Sequence, residues 1–399
     1  MKLLFVHDTK LKEDFNGTYY TGGSYSEKVW GRYLSISSKL SVIARKEPII
    51  YDIDVAKKRF NYFDKEKINF IEVPNLNSSF RGFFNFQDRK KVHEIIKNAV
   101  LRTDFLIARL PSTNGNIAVY FAKKFNKPYL VEVVGCSWDA LWNYNIKGKL
   151  LAPLNYIKQK NAIRGSKYAI YVTNSFLQSR YPTNGDSVNC SNVSLTDFDE
   201  SVLKERIEKI ESLNPKGKLI IGTTAAVDVR YKGQESVIKA IGKLKEQGIT
   251  NFEYQLVGGG NQSYLSSIAK KYDVIGQVKF LGPMPHNEVL NWLDSIDIYA
   301  QPSKTEGLPR ALIEAMSRGI FSIGSNAGGI PELLEDRYTF SKAGNNELEI
   351  FNILKKIKTE DLLIQAQRNY RTSKEYDKNV IELRRQLFFK KFLEQSYQE

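Results

Sequence analysis

Residues Ser303 to Gly319 read SKTEGLPRALIEAMSRG and follow the apolar run Ile296 to Ala300, IDIYA. A short β-branched and aromatic run, a loop, and then Pro309 opening a stretch of helix formers make one strand–loop–helix step of an α/β protein. Glu306 stands in the loop. Glu314 follows eight residues later, which the spacing predicts to be about two turns into the helix, so one extended ligand could meet both carboxylates. Acids near a helix start also complement the macrodipole and could pair with Arg310 or Arg318, an explanation that suits Glu306 better than Glu314. Next comes Ser325 to Glu332, SNAGGIPE, a glycine-rich loop expected to lead into another helix.

The same alternation extends on both sides. Toward the amino terminus, strands are expected at Lys218 onward (KLIIGTTAAV), Phe252 to Val257 and Val278 to Leu281, and after the quoted segment at Ile320 to Ile323 and near Tyr338. Helices at Gln234 to Gln247, Tyr264 to Tyr272 and Asn287 to Asp294 separate them. An earlier series has strands at Lys2 to Val6, Leu40 to Ala44, Asn69 to Val73, Phe105 to Ala108, Tyr129 to Val134 and Tyr168 to Val172. Between the two series lies the polar stretch CSNVSLTDFDES from Cys190, with a charged amphipathic segment at Val202 to Ile210. The reading is two doubly wound α/β domains, residues 1–195 and 196–374, with helix 375–399 completing the first.

Composition narrows the classes. The 399 residues are 42% apolar and carry a net charge of +15, and residues 1–200 hold most of the excess, with 30 basic against 19 acidic side chains. No run approaches the ~20 apolar residues of a membrane span, and MKLLFVHD is too short in its apolar part for a secretory signal. Cys136 and Cys190 share no CxxC or ligand spacing, which fits a reducing cytoplasm. The charge suits nucleic acid, anionic lipid or phosphorylated substrates equally.

In an open α/β sheet ligands meet the loops beyond the strand ends. Tyr20 to Tyr25 (YTGGSY) puts Gly22 and Gly23 before a helix, where backbone N–H groups can approach an anion. Asp228 to Gly233 (DVRYKG) places Arg230 and Lys232 after the first strand of the second domain, as a diphosphate clamp or as two solvated cations. Val257 to Gly260 (VGGG) is a phosphate or base contact, or a turn.

Taken in order, the GG loop, the basic pair, VGGG, FLGPMPHNEV, EGLPRALIEAMSRG and GSNAGGIPELL resemble the retaining family 4 glycosyltransferases of bacterial surface-polysaccharide type, whose fold is GT-B: two facing Rossmann-like domains with a last helix crossing back to the first. The likeness is strong over residues 218–335 and diffuse over 1–200. It implies that Gly22, Gly23 and Gly258 approach the donor, that Lys232, with Arg230 beside it, neutralises the diphosphate, and that Gly307, Leu308 and Pro309 meet sugar and phosphates through backbone groups. Glu306 would bind the sugar hydroxyls, Glu314 the ribose, and Gly282, Pro283 and Met284 would border the base. Glu306, Lys232 and Arg230 are the implied catalytic groups. Two positions depart from the family. Ala226 stands where an Arg six residues before the lysine is usual, and Gly135-Cys136-Ser137-Trp138-Asp139 occupies the usual place of a His. The chain's own His7, His93 and His286 are read as structural.

The resemblance implies transfer of a sugar, with retention, from a nucleoside diphosphate sugar (UDP favoured over GDP) to a saccharide hydroxyl, the acceptor being lipid-linked through polyprenyl diphosphate. No cofactor or metal is expected: the D-x-D tripeptides at Asp52 to Asp54 and Asp197 to Asp199 read as chance. Arg109, Asn114, Trp138 and Asp139 are the acceptor candidates. Lys57-Lys58-Arg59, and Arg89-Lys90-Lys91 beside Phe80 to Phe86, suggest peripheral contact with an anionic membrane at the cytoplasmic face. A sugar-nucleotide epimerase or phosphorylase of the same fold, and a basic nucleic-acid-binding protein, are the competing readings; no nucleic-acid recognition motif is present.

Overall fold

A computed structural model describes residues 1–22, 25–76, 86–143, 146–193, 195–196, 198–214 and 217–396. The first sheet contains β1 (Lys2–Asp14), β2 (Tyr19–Thr21), β3 (Lys39–Tyr51), β4 (Asn61–Tyr62), β5 (Ile68–Glu72), β6 (Phe105–Leu110), β7 (Tyr129–Val133), β8 (Tyr168–Tyr171) and β9 (Asp186–Asn189). Its parallel strands lie in the order β5-β3-β1-β6-β7-β8-β9, while β2 and β4 add antiparallel at the far end of β1. The second contains β10 (Leu219–Thr224), β11 (Phe252–Val257), β12 (Val278–Gly282), β13 (Ile298–Gln301), β14 (Phe321–Ser325) and β15 (Thr339–Phe340), all parallel, in the order β12-β11-β10-β13-β14-β15. Each sheet therefore reverses its winding beside its first strand, at β1/β6 and at β10/β13, which is where a crevice opens in a doubly wound sheet.

Burial on both faces explains why these strands are apolar runs. Leu3 and Phe5 join one core layer of the first domain, and the alternate Leu4 and Val6 join the other. Beyond Val6 that signal stops, yet β1 continues to Asp14 and β3 to Tyr51, paired through two register shifts. The expected ends at Val6 and Ala44 are therefore corrected. In the extension only occasional residues such as Leu11 are buried, so hydrophobicity ends before the ladder does. A second correction concerns SNAGGIPE. No α-helix follows it directly; successive turns close Ile330 on Ala327 and Leu333 on Ile330, a single 3₁₀ turn stands at Asp336–Tyr338, and the next α-helix is Asn346–Lys356. Phe80 to Asn85 lie outside the described residues.

The chain leaves the first sheet after β9 and comes back near residue 376, and the two crossings touch: Leu195 N–H donates to the Tyr376 carbonyl (3.4 Å) and Lys378 N–H to that of Leu195 (2.9 Å). The last helix, Lys378–Ser396, then lies on the first domain. Phe392 meets Phe105 and Tyr168, Phe389 meets Tyr33, and Arg385 donates to the Ser191 carbonyl. Val380, Leu383 and Leu387 of the same helix remain exposed.

The amphipathic segment after the first crossing is the helix Glu200–Glu211, capped by Asp199, and it packs on the second domain. Its Arg206 is buried and, among the described residues, has no carboxylate on its guanidinium. It donates instead to the carbonyls of Leu293 (3.0 Å), Ile296 (2.7 Å) and Arg318 (3.0 Å), the unsatisfied ends of two helices. Burial lowers its pKa to about 10. Replacing Arg206 with Met should strand these carbonyls and cost the second domain about 2–4 kcal/mol, read as a lower urea midpoint. An unchanged midpoint would show that water replaces the guanidinium.

Candidate active site

A cavity of about 490 Å³ lies between the domains, beyond the carboxyl ends of both sheets. From the first domain His7 of β1, Arg109 of β6, Val134 after β7 and Gly22 reach it. From the second, the loop after β13 supplies Glu306, Gly307 and Leu308, and the helix Arg310–Ser317 supplies its first residue, Arg310.

The wall on the first-domain side rests on a buried ion pair. Arg109 donates through Nε to Glu132 (2.8 Å) and through Nη2 to the Tyr33 hydroxyl (2.9 Å), which in turn donates to Glu132 (3.0 Å). Burial opposes ionisation of Glu132, but Arg109 and, further off, Arg385 outweigh it and hold the carboxyl below its usual range. The guanidinium also lies over the Tyr25 ring, 4.9 Å from its centre. Tyr25 OH meets His7 Nδ1 at 2.9 Å. Burial, then the charges of Arg109 and Arg45, push the His7 pKa from 6.5 down to about 3, so its imidazole is neutral.

On the second-domain side, Lys232 and Glu306 form an ion pair at 2.7 Å, and Gln301 of β13 donates to the same carboxylate oxygen (3.2 Å). Lys232 ends a single 3₁₀ turn, Arg230–Lys232, and Gly233 follows with φ +74°; a Cβ there would lie 2.0 Å from the Pro302 carbonyl oxygen. Only glycine permits both that backbone and that approach, which is how the basic loop is drawn against the Glu306 loop. The loop itself is clasped from two sides. Gly329 N–H donates to the Gly307 carbonyl (2.7 Å), and on the other side a Cβ on Gly307 would come within 2.7 Å of the Val134 carbonyl oxygen in the first domain. Glu332 adds a second bridge between domains, accepting from the backbone N–H groups of Asn174, Ser175 and Phe176 at the start of the short helix Phe176–Arg180.

Pro309 is the residue before the helix Arg310–Ser317, so Glu314 is about one turn in, not two. Burial raises the Glu314 pKa, opposed by the charges of His286 and Arg310. His286 is the first residue of the helix His286–Ser295, which follows the loop of Gly282, Pro283 and Met284. Gly258 N–H donates to the Gly282 carbonyl (2.9 Å), so the two glycine loops adjoin. Arg230 is exposed and stacks on Tyr264, 4.2 Å from the ring centre; it does not line the cavity.

Of the first-domain candidates, Arg109 and Gly22 face the cavity, and Gly23 lies outside the described residues. Asn114 is buried at the start of the helix Thr113–Lys124, its N–H on Asp8 (3.1 Å). Trp138 stacks on Trp142 with centres 5.2 Å apart, and Asp139 pairs with Arg180 (3.3 Å); neither lines the cavity. Cys136, near the place where a histidine was sought, holds its thiol against Tyr181 OH (3.1 Å), and burial raises its pKa. The residues that the sequence reading missed are His7, Tyr25 and Arg310. Their signal was position: His7 stands at the carboxyl end of the first apolar run, and Arg310 directly follows Pro309.

Two Rossmann-like sheets face one cleft, whose wall carries Glu306, itself paired with Lys232, and the first residue of a helix, and this arrangement is the GT-B fold. Residues 204–374 match the glycosyl transferases group 1 family. Over 345 residues the chain is 36% identical to Protein CapJ of Staphylococcus aureus, an alignment covering 85% of this chain and 82% of that protein. It is 39% identical over 111 residues to the amylovoran biosynthesis glycosyltransferase AmsK of Erwinia amylovora, 26% of this chain and 27% of that one. The chain belongs to the group 1 glycosyltransferases. Its fold is that of sucrose-phosphate synthase from Thermosynechococcus elongatus (TM-score 0.67, 14% identity, 98% and 99% of the two chains) and of Anabaena HepE in complex with UDP-glucose (TM-score 0.62, 16% identity, 99% and 100%).

The neutral His7 has a consequence for stability. Its folded pKa is depressed, so the unfolded chain binds the proton first as pH falls below about 6.5, and stability drops by up to about 1.4 kcal/mol per pH unit. His7→Gln should flatten the fall in unfolding midpoint between pH 7 and 5. Equal pH profiles for the two proteins would show that His7 is protonated in the folded state.

Proposed function

We propose that the protein is a retaining glycosyltransferase that moves a sugar from a UDP-sugar to a hydroxyl of a lipid-linked saccharide during synthesis of a bacterial surface polysaccharide. The observation that carries the reading is the Lys232–Glu306 pair at the mouth of the helix that bears Glu314. A nucleoside diphosphate sugar laid along this loop has its ribose hydroxyls at Glu314 and its base beside Gly282 to Met284. Its diphosphate lies at Lys232, Arg310 and the free N–H groups of the helix start, and its sugar at Glu306. Arg230, held on Tyr264, adds a more distant positive charge. Gly22, Gly307, Leu308 and Pro309 let backbone approach the donor. UDP is favoured because the HepE neighbour is described with UDP-glucose bound, and the polysaccharide role because AmsK is named for amylovoran biosynthesis.

The barrier comes from oxocarbenium character in the sugar and charge building on the departing diphosphate. Fixed cations and helix N–H groups stabilise that charge without rearranging. The C–O bond to the diphosphate breaks as the acceptor oxygen bonds to the same face of the anomeric carbon, and the acceptor proton passes to the leaving phosphate oxygen. No side-chain base is needed, in keeping with the Cys136 thiol at the expected histidine position. The positive charge comes from Lys232 and Arg310, and the reading uses no metal or cofactor. Asp52 and Asp199 of the two D-x-D tripeptides cap helices. On the acceptor side, Arg109 and the neutral His7 face the reacting centre and replace Asn114, Trp138 and Asp139 as the contacts proposed for the acceptor.

Glu306→Gln should lower transfer from the cognate UDP-sugar by about 10²–10³-fold, while UDP still raises the thermal unfolding midpoint. A product with the donor's anomeric configuration supports retention, and epimerised donor or sugar phosphate would point to the other reactions of this fold. An unchanged rate in the variant would remove Glu306 from the reaction.

A further inference from the structure

The helix Ile146–Arg164 carries an apolar stripe on its exposed side. The side packed on the first domain carries Gly148, Ala152, Gln159, Ala162 and, at its end, Ile163, with Tyr156 packed against the core beside them, whereas Ile146, Leu150, Leu154 and Ile157 face outward, Ile146 and Leu150 being about 80% and 78% exposed. Spacings of four, four and three keep the four on one stripe. Trp142, just ahead, is also exposed, with Lys149 Nζ 5.6 Å from its ring centre. At about 100° per residue, Lys147 and Lys158 fall on one flank of the stripe and Lys149 and Lys160 on the other. The helix contains no acidic residue. Alongside it runs a groove of about 420 Å³, lined by Arg89, Lys123 and Lys158 and by the exposed Tyr120.

We propose that this helix docks the protein on an anionic lipid bilayer. An apolar stripe left in water is unfavourable, and an interfacial position covers it: the Ile and Leu side chains enter the acyl boundary while the flanking ammonium groups reach lipid phosphates. Charge complementarity selects this occupant. A second copy of the chain docked through the same stripe would bring the two lysine rows of one helix against those of the other with no carboxylate between them. The helix is coupled to the cleft by Gln159, whose side chain accepts from Ser137 N–H (3.0 Å) and donates to the Gly135 carbonyl (2.9 Å), one residue from the cavity-lining Val134. Docking thus holds the first-domain wall of the cleft close to the bilayer, where a lipid-linked acceptor would be presented. That last consequence rests on the function proposed above; the docking does not.

Flotation tests it with neither donor nor acceptor present. The protein should float with phosphatidylglycerol-containing vesicles at low salt, be released by high salt, and stay behind with pure phosphatidylcholine. Leu150→Ser with Ile157→Ser should lower binding at least about tenfold with an unchanged thermal midpoint, and Lys149→Glu with Lys158→Glu should do the same. Val380→Ser with Leu383→Ser, on the exposed face of the last helix, should leave binding intact. Absence of flotation at low salt, or variants of the stripe that float like the parent, would overturn the proposal, and so would a concentration-dependent dimer abolished by Leu150→Ser with Ile157→Ser. None of these results bears on sugar transfer, which is assayed on soluble acceptors.

Discussion

A guanidinium and a carboxylate, Arg109 and Glu132, meet in the first domain where it borders the cleft, joined to the Tyr33 hydroxyl and to the face of the Tyr25 ring. Either charge alone would be costly there, and removing one partner of such a pair typically costs about 3–5 kcal/mol. The pair therefore imposes an arrangement. β6 must lie beside β7 in register so that the two side chains meet, and the helix Glu27–Leu34 must present Tyr33. Arg385 on the returning helix adds its field to the same carboxylate. A single electrostatic constraint joins the sheet, a flanking helix and the last helix, and its outer end, the Arg109 guanidinium with Tyr25 and His7, is the first-domain wall of the cleft.

The second domain answers with backbone rather than charge. Glycines at 233, 307 and 328 bring three loops into contacts that any side chain would block. The result places Glu306 and the helix start on one wall of the cleft, with Lys232 held against Glu306. Preorganisation of this kind is what stabilising a departing diphosphate demands, since donors already in place lose nothing by reorienting as charge develops.

Much of this was legible in the chain. The strands of the second domain stood out as short apolar runs, β13 and β14 being buried throughout, and Glu306, Lys232 and the glycine loops lie in the segments that follow such strands. Where a strand leaves double coverage, as β1 does after Val6, the sequence goes quiet although the pairing continues. The Arg109 pair was invisible for a different reason: its partners are separated by 23 and 76 residues, and no local spacing announces them. The helix Ile146–Arg164 escaped because apolar residues on both its exposed and its buried side leave little net periodicity to detect. The membrane contact expected from the sequence was placed on Lys57-Lys58-Arg59 and Arg89-Lys90-Lys91, not on this helix.

In the proposed donor site, ribose and diphosphate lie along one loop and helix start, from Glu314 to Lys232. A crystal structure with UDP bound tests it most directly. The expected complex has ribose hydroxyls on the Glu314 carboxylate, phosphate oxygens within hydrogen-bond distance of Lys232 Nζ and of the N–H groups at the start of Arg310–Ser317, and the uracil beside Gly282 to Met284. A nucleotide seated elsewhere in the cleft, with Glu314 out of contact, would contradict it.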